Sequence, residues 1–483
     1  MKEDIHQFKK RGALAFFWSA VNTGGINLLG LLFGILLARL LTPGDFGNMA
    51  IIIFIALISN IFVDSGLSHA LIRESKVSEI EYNTIFYFSL FISFICALII
   101  YLLATPISIY FNSPILKDLT RVISISPIIY AFMTVNNTII ARRMDFKLRA
   151  KLSMTALTLS GALSIVLANA GFGVWSLLLM QILNPFLLMV LMYWKVQWKP
   201  RLKFSLIFVK KYIGFGFRLS ISNFSSTIYT NLYPVFLGKD ISTDYAGYYS
   251  RANSYLPTSI FGKIILRAAY PFLSRNKDNH ETLRENNSLI IKFTAMFTAP
   301  LLFGMAAIVK PLIIVLIGEK WLVSADILFY LCFAGLLLPY DSINMNIIKV
   351  NAKMNLYLAL ELFKILLVFI AIYITISLGI DFLLKAIILN SVIVFIISSS
   401  ISGKIIQYKM FQYIKDIKWP FILSLLMFSA LKFFQTLITS GPLFELVSSI
   451  LIGLVLMIFL YELTKNEQYL MLKKYLLKNN NDK

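Results

Sequence analysis

Apolar segments of about 20 residues recur along the whole chain, and they constrain its fold more than any other feature. A helix needs roughly 20 mostly apolar residues to cross the hydrocarbon core of a bilayer. We therefore predict an all-α integral membrane protein with about fourteen transmembrane helices. The predicted spans lie near 13–38, 46–72, 83–104, 118–141, 151–170, 173–194, 212–238, 245–275, 287–308, 323–349, 355–378, 382–403, 418–439 and 441–463. The weakest are 46–72 and 245–275, which carry polar residues.

The composition and the short connections leave no room for a separate catalytic domain. The 483 residues are 58% hydrophobic and 14% charged, whereas soluble chains are about 25% charged. The longest outer connections, 105–117 and 309–322, are far below the size of a domain. Cys96 and Cys332 lie in apolar segments, so we interpret them as small buried hydrophobes and not as disulfide or metal ligands.

Basic residues are concentrated in alternate connections. The chain has 45 Lys and Arg against 24 Asp and Glu, a formal charge of +21, and clusters such as 142–151 and 195–211 fall between spans. This asymmetry is typical of positive-inside topology and not of nucleic-acid binding, and it predicts that both termini are cytoplasmic. The apolar stretch 13–38 is longer than a signal-peptide core, so we expect a first transmembrane helix that is retained.

A short motif occurs twice, once at the end of each half's first span. The segments are LLARLLTPGDFGNMA (36–50) and FLGKDISTDYAGYYSRA (236–252). In each, an Asp-aromatic pair (Asp45-Phe46, Asp244-Tyr245) precedes Gly47 or Gly247. An offset of six spans gives both halves the same orientation, as in transporters built from parallel repeats. The alternative is chance similarity, because Asp and Gly are common turn residues.

The repeat divides the chain into predicted parts. These are an N-terminal six-helix lobe (1–200), a C-terminal six-helix lobe (201–410), two additional transmembrane helices (411–465) and a basic cytoplasmic tail (466–483).

Basic residues inside predicted spans are candidates for substrate binding, since charges in a membrane are costly and usually functional. The candidates are Arg218, Arg251, Lys263 and Arg267. A cationic cavity suits a phosphate or pyrophosphate headgroup. Lys263 is the deepest of the four. For Arg218 and Arg267 the alternative is snorkelling to the interface, and for Arg251 it is contact with lipid headgroups.

Four further residues are candidates for ion coupling: Asp64, Asp341, Glu361 and Lys364. Glu361 and Lys364 are three residues apart and share a helix face, so a structural ion pair is the alternative. The sequence has no phosphate-binding G-x-x-x-x-G-K-[ST] loop and no metal-ligand spacing among its three histidines. We therefore expect no cofactor, and energy from an ion, potential or substrate gradient.

Several segments, in order, resemble those of a known family. They are ARLLTPGDFGNMAI (38–51), DSGLSHALI (64–72), RRMDFK (142–147), GFGVWSLL (171–178), WKPRLKFS (198–205), GYYSRA (247–252) and GEKW (318–321). Together they resemble Wzx-type polysaccharide exporters. The similarity is to the lipopolysaccharide and teichuronic-acid flippase branch of the multidrug/oligosaccharidyl-lipid/polysaccharide superfamily.

The resemblance implies a flippase of the bacterial cytoplasmic (inner) membrane. It would move an undecaprenyl-pyrophosphate-linked oligosaccharide from the inner to the outer leaflet, with polysaccharide polymerase machinery as a partner. The implied fold is two six-helix lobes around a central cavity plus two C-terminal helices, working by alternating access. A cationic cavity would hold the pyrophosphate, with Arg218, Arg251, Lys263 and Arg267 as candidates. One departure is that Tyr229-Thr230-Asn231 occupies the middle of span seven, where the branch often has charges.

Two alternatives remain open. A cation-coupled multidrug antiporter of the same superfamily would need acids in its cavity, which Asp64, Asp341 and Glu361 could supply. An integral polysaccharide polymerase or ligase would need a sizeable outer loop, which the short connections disfavour. We therefore expect a transporter and not an enzyme.

Overall fold

The computed structural model describes residues 2–257, 279–351, 353–437, 441–471 and 473–474, and these contain helices and no strand. In the first half the helices are α1 (Lys2–Leu40), α2 (Pro43–Asp64), α3 (Leu67–Arg73), α4 (Glu79–Tyr110), α5 (Ile115–Ile123), α6 (Ser126–Arg142), α7 (Phe146–Asn169), α8 (Val174–Val196), α9 (Leu206–Asp240) and α10 (Thr243–Tyr255). The others are α11 (His280–Ile317), α12 (Leu322–Gly335), α13 (Leu338–Val350), α14 (Met354–Thr375), α15 (Ile380–Ile406), α16 (Met410–Leu437) and α17 (Pro442–Leu463).

The predicted all-α membrane architecture is confirmed. Within the described ranges, 12 helical segments are long and apolar enough to cross a bilayer. Predicted span seven, 212–238, lies within α9, which is one 35-residue helix but is not among those 12. Predicted span eight, 245–275, begins in α10, and its residues from 258 onward lie outside the described residues. The total of fourteen stays a prediction.

The span predicted at 46–72 is shorter than expected. Ser65 and Gly66 both have positive φ, 46° and 64°, which ends α2 at Asp64 and starts the separate short helix α3. At the other end, Thr42 caps α2 and exchanges hydrogen bonds with Asp45 in a capping box.

Two spans are interrupted in the same way, one in each half. The segment 115–142 breaks between α5 and α6, and the segment 322–350 breaks between α12 and α13. Pro127 and Pro339 each stand in the first turn after the break, where proline is tolerated because that N–H has no intrahelical partner.

Local geometry at other corresponding positions agrees with the predicted repeat. Gly171 and Gly379 both have positive φ, 85° and 104°, and they lie three residues before α8 and one residue before α15. The residues that follow those two helices, Gln197 and Gln407, are both left-handed, with φ of 59° and 54°. An aromatic residue and a lysine follow in both places. The two halves therefore share turns as well as helices.

The chain forms two compact units, Met1–Ser250 and Arg251–Lys483. In the first, Phe86, Val135 and Met192 belong to a buried cluster. In the second, Tyr340, Phe395 and Tyr413 do. The lobe boundaries predicted at 200 and 410 stay predictions.

The two C-terminal helices α16 and α17 pack on α11 in the second unit. One face of α17 is exposed and apolar at Leu451, Leu454, Val455 and Ile458. An exposed apolar face of this kind is expected where a helix contacts lipid.

Candidate functional site

The two copies of the repeated motif contact each other. A Cβ atom on Gly47 would lie 1.7 Å from the carbonyl oxygen of Thr243, and one on Gly247 would lie 1.9 Å from that of Pro43. Both distances are far below any real contact, so only glycine fits at either position. The contact is reciprocal, because each glycine lies on the first residue of the opposite helix, α2 or α10. It holds the N-terminal ends of these helices backbone to backbone.

A second glycine contact joins the C-terminal end of α2 to α9. A Cβ on Gly66 would lie 2.4 Å from the carbonyl oxygen of Gly216, and one on Gly216 would lie 2.2 Å from that of Ser65. The left-handed backbone of Gly66 independently favours glycine. Both ends of α2 are therefore in close contact with the segment 216–247.

Polar residues reinforce the C-terminal contact. The Tyr212 hydroxyl donates to Glu81 Oε1 at 2.6 Å, and Lys211 Nζ donates to that hydroxyl at 2.7 Å. Lys211 also forms an ion pair with Glu74 at 3.1 Å. The hydrogen bond to Tyr212 and the interaction with Glu74 raise the pKa of Lys211 above its usual value. This cluster attaches the start of α9 to α4 and to the end of α3.

The predicted cationic site cannot be assembled from the described residues. Arg218 is within α9, but its side chain lies outside the described residues, as do Lys263 and Arg267 entirely. Arg251 is half-buried on α10 and interacts with Tyr255, one turn further along. The four residues remain predicted substrate ligands.

Three of the four predicted ion-coupling residues form one buried cluster. Lys364 Nζ lies 2.6 Å from Asp341 Oδ2 and 3.3 Å from Glu361 Oε1. The side chains of Lys364, Asp341 and Glu361 are only 6%, 13% and 10% exposed. We call these residues the ion triad. The fourth residue, Asp64, is half-buried at the end of α2 in the other compact unit.

The ion triad is charged unevenly. Two carboxylates oppose one ammonium, so the fully ionised cluster carries a formal charge of −1. Asp341 Oδ1 is buried and has no hydrogen-bond partner within the described part of the chain. A buried unbalanced charge is costly, and one proton or one monovalent cation would neutralise it.

The ion triad is absent from the first half. The segments TVNNTIIAR (134–142) and SINMNIIKV (342–350) align, and in that register Met133, Ser153 and Ala156 correspond to Asp341, Glu361 and Lys364. Ala156 is fully buried and Ser153 nearly so. The triad is therefore a feature of one half of the repeat only.

Sequence reasoning missed two parts of this arrangement. The repeated motif was recognised, but nothing in the sequence showed that its two copies meet. Gly66 and Gly216 were not selected, although Ser65-Gly66 inside an apolar segment is a turn signal.

Twelve candidate membrane spans in the described ranges define a polytopic membrane protein, and the paired glycine contacts and the buried ion cluster are features that suit a transporter. The sequence model of the family described as "Polysaccharide biosynthesis protein" matches residues 36–326. The chain belongs to this family, and the predicted relationship to polysaccharide exporters is confirmed.

Similar proteins agree with that assignment. The chain is 24% identical over 422 residues to the lipopolysaccharide biosynthesis protein WzxC of Escherichia coli strain K12, covering 84% of each chain. It is 23% identical over 421 residues to the teichuronic acid biosynthesis protein TuaB of Bacillus subtilis strain 168, covering 84% of this chain and 85% of that protein. It shares its fold with the lipid II flippase MurJ, solved in an inward closed conformation. That match has a TM-score of 0.72 at 16% identity, over 94% of this chain and 98% of the other.

Proposed function

We propose that this protein is a flippase that moves an undecaprenyl-pyrophosphate-linked oligosaccharide across the cytoplasmic membrane for surface polysaccharide synthesis. The observation that carries the proposal is family membership over residues 36–326. Similarity over 84% of the chain to proteins of lipopolysaccharide and teichuronic acid biosynthesis supports it. The fold shared with a lipid II flippase is consistent with a lipid-linked substrate.

The orientation follows from charge. Basic residues cluster at the end of the first unit where α4 begins and α6 and α8 end, an end that we call the basic face. The positive-inside rule places the basic face and both termini in the cytoplasm. Translocation from the inner to the outer leaflet needs no covalent chemistry, so the protein acts as a transporter and not as an enzyme.

The two glycine contacts are suited to act as gates. In this orientation Gly47–Gly247 lies at the outer end of α2 and Gly66–Gly216 lies at the inner end. In this structure both contacts are formed, so α2 is held against the segment 216–247 at its outer and its inner end. Alternating access requires one contact to open while the other stays closed. Backbone-to-backbone contacts suit this role because the glycines themselves form no ion pair, although opening the inner contact would also separate Lys211 from Glu74.

The ion triad is suited to couple transport to an ion gradient. Its formal charge of −1 favours uptake of one proton or one monovalent cation, and it occurs in only one half of the repeat. A change in its charge would alter the packing of α13 against α14, which carry Asp341 and the other two residues. Arg218, Arg251, Lys263 and Arg267 are our candidates for holding the pyrophosphate.

Deleting the gene in its native host tests the function. Undecaprenyl-linked oligosaccharide should accumulate on the cytoplasmic leaflet, and the wild-type gene should reverse the accumulation. Lys263→Ala and Arg218→Ala should reverse it poorly. Full rescue by both would remove the assignment of these two residues and leave the flippase.

One specific observation favours a second candidate, a cation-coupled multidrug antiporter. The ion triad supplies the buried acids that such a protein uses. Loss of drug resistance on deletion, without accumulation of lipid-linked oligosaccharide, would select the antiporter.

A further inference from the structure

A cavity opens at the basic face of the first unit, and none of the contacting glycines lines it. Its volume is about 730 Å³, and it lies where α4 begins and where α6 and α8 end. Four basic residues, Arg142, Arg143, Lys199 and Arg201, line it together with one carboxylate, Glu79. The cavity is therefore strongly cationic.

Two of the four cations are already engaged. Arg142 donates to the backbone carbonyls of Leu71, Glu74 and Ser75, which fixes the connection after α3. Arg201 forms an ion pair with Glu79 at 3.1 Å, and both side chains are more than half exposed. Glu79 is the one carboxylate that lines the cavity, and it is already paired with Arg201.

Arg143 and Lys199 remain for a ligand. Neither forms an ion pair with any residue that the structure describes. Two cations at the rim of one cavity, with its carboxylate already paired, favour an anionic ligand.

Both residues stand on backbone that is held in place. Arg143 caps the end of α6, and Met144 after it has a positive φ of 54°. Lys199 follows Trp198, whose ring contacts Phe86 edge-on with centroids 5.7 Å apart. The backbone N–H of Arg201 donates to Asn83 Oδ1 at 2.6 Å. The backbone that carries the two cations is therefore held in place, and only their exposed side chains have to be ordered when a ligand binds.

Two tryptophans place the cavity at the level of lipid headgroups. Trp194 is 66% exposed near the end of α8, and Trp198 lines the cavity itself. Tryptophan is enriched at membrane interfaces, where its ring is partly in hydrocarbon and partly in water. An anion at this depth is most readily supplied by a lipid.

We propose that this cavity binds the phosphate group of a membrane lipid, with Arg143 and Lys199 as its ligands. Arginine and lysine pair well with phosphate, and the inner leaflet is the source of anionic lipids at a basic face. The shared chemistry is a lipid-borne phosphate, whether from a resident anionic phospholipid or from a polyprenyl pyrophosphate. The proposal does not depend on transport, so it can fail or succeed independently of the flippase assignment.

The test compares two variants that remove the same charge. The full-length protein is purified from vesicles of phosphatidylcholine and phosphatidylglycerol, and retained phosphatidylglycerol is counted by native mass spectrometry. Arg143→Gln/Lys199→Gln should reduce occupancy about tenfold, which corresponds to about 1.4 kcal/mol of binding free energy. The control, Lys195→Gln/Lys203→Gln, removes two charges from the same face outside the cavity lining, and it should retain lipid like the wild type.

The outcomes are distinct. Equal loss in both double variants would mean general surface attraction and would overturn the site, as would equal retention. Undecaprenyl pyrophosphate added to the protein decides the source: displacement of phosphatidylglycerol identifies the polyprenyl headgroup as a ligand, and no displacement identifies a resident phospholipid. Displacement by inorganic pyrophosphate at the same concentration would indicate a soluble anion and overturn the lipid assignment.

Discussion

Gly47 and Gly247 pack so closely that a side chain on either would collide with the backbone of the opposite helix. The Cβ distances are 1.7 Å to Thr243 and 1.9 Å to Pro43. The two glycines occupy equivalent places in the repeated motif, so the same feature closes the contact from both sides. Because no side chain lies between the two backbones, the contact requires that neither residue carries a Cβ atom.

Gly47→Ala should prevent this contact from closing and should slow transport. The obstacle to the new methyl group is a backbone oxygen, so α2 and α10 must separate. Overpacking costs about 1–3 kcal/mol, which corresponds to a shift of about 5- to 150-fold in the closed population. Flipping of a lipid-linked oligosaccharide in proteoliposomes measures the effect.

A matched control is available for this substitution. Gly30 also lies inside a membrane helix, but a Cβ there would have no atom within 4 Å. Gly30→Ala should leave transport unchanged and should stabilise the helix by at most about 1 kcal/mol. Equal effects of Gly30→Ala and Gly47→Ala would argue that the contact has no gating role.

A disulfide across the same contact should lock the protein. A Cβ on Gly44 would lie 2.9 Å from Asp244 Oδ1, so Gly44→Cys/Asp244→Cys, with Cys96 and Cys332 replaced by alanine, should crosslink on mild oxidation. Transport should stop and should resume after reduction. Each single cysteine variant, treated identically, controls for oxidative damage. Undiminished transport by the crosslinked protein would show that this end need not open.

Variants of the ion triad should distinguish its effect on protein stability from its effect on ion coupling. Lys364→Met leaves two buried carboxylates unbalanced and should cost about 3–5 kcal/mol of stability. Replacing all three residues together, Lys364→Met/Asp341→Asn/Glu361→Gln, removes every charge and should recover most of that loss. Thermal unfolding in detergent measures both.

Transport by the triad variants decides their role. Asp341→Asn keeps the pair of Lys364 with Glu361 and should leave a folded protein whose transport no longer responds to an imposed proton or sodium gradient. Transport by the triple variant should likewise not respond to an imposed proton or sodium gradient. If it transports with the wild-type dependence on the gradient, the triad is only a structural ion pair.

Tyr212→Phe should loosen the start of α9 without unfolding the protein. The hydroxyl joins Glu81 to Lys211, and Glu81 is 5% exposed. Hydrogen bonds to charged groups contribute about 1.5–3 kcal/mol. Faster hydrogen exchange over the first turns of α9 is expected. Tyr82→Phe, one residue from Glu81, is the control and should leave that exchange unchanged.

The membrane fold was largely predictable because hydropathy reports directly on what a bilayer requires. The prediction extended the second span through Ser65-Gly66, because two positive φ values do not alter hydropathy. Span seven was predicted from its apolar residues. The polar residues of α9 nevertheless make this helix less apolar than the 12 candidate membrane spans. Composition indicates a helix there but not its depth in the membrane.

The candidate site was predictable in part. Asp341, Glu361 and Lys364 were selected because charge within a membrane is rare, and the structure brings them together. The link between Asp341 and Lys364 spans two helices, and helix periodicity carries no information about such a contact. Contacts between glycines could not be predicted for a different reason: glycine has no side chain, so neither hydropathy nor charge indicates where two glycines pack together.

The reciprocal glycine contact also limits how the two halves of the chain can diverge. A clash between two side chains can be relieved by shortening the other one. Here the opposing atoms are carbonyl oxygens of Pro43 and Thr243, which every amino acid carries. No second substitution can therefore compensate for a larger residue at 47 or 247. The two halves are free to acquire different cargo-binding and ion-binding residues, but at this point they must remain copies of each other.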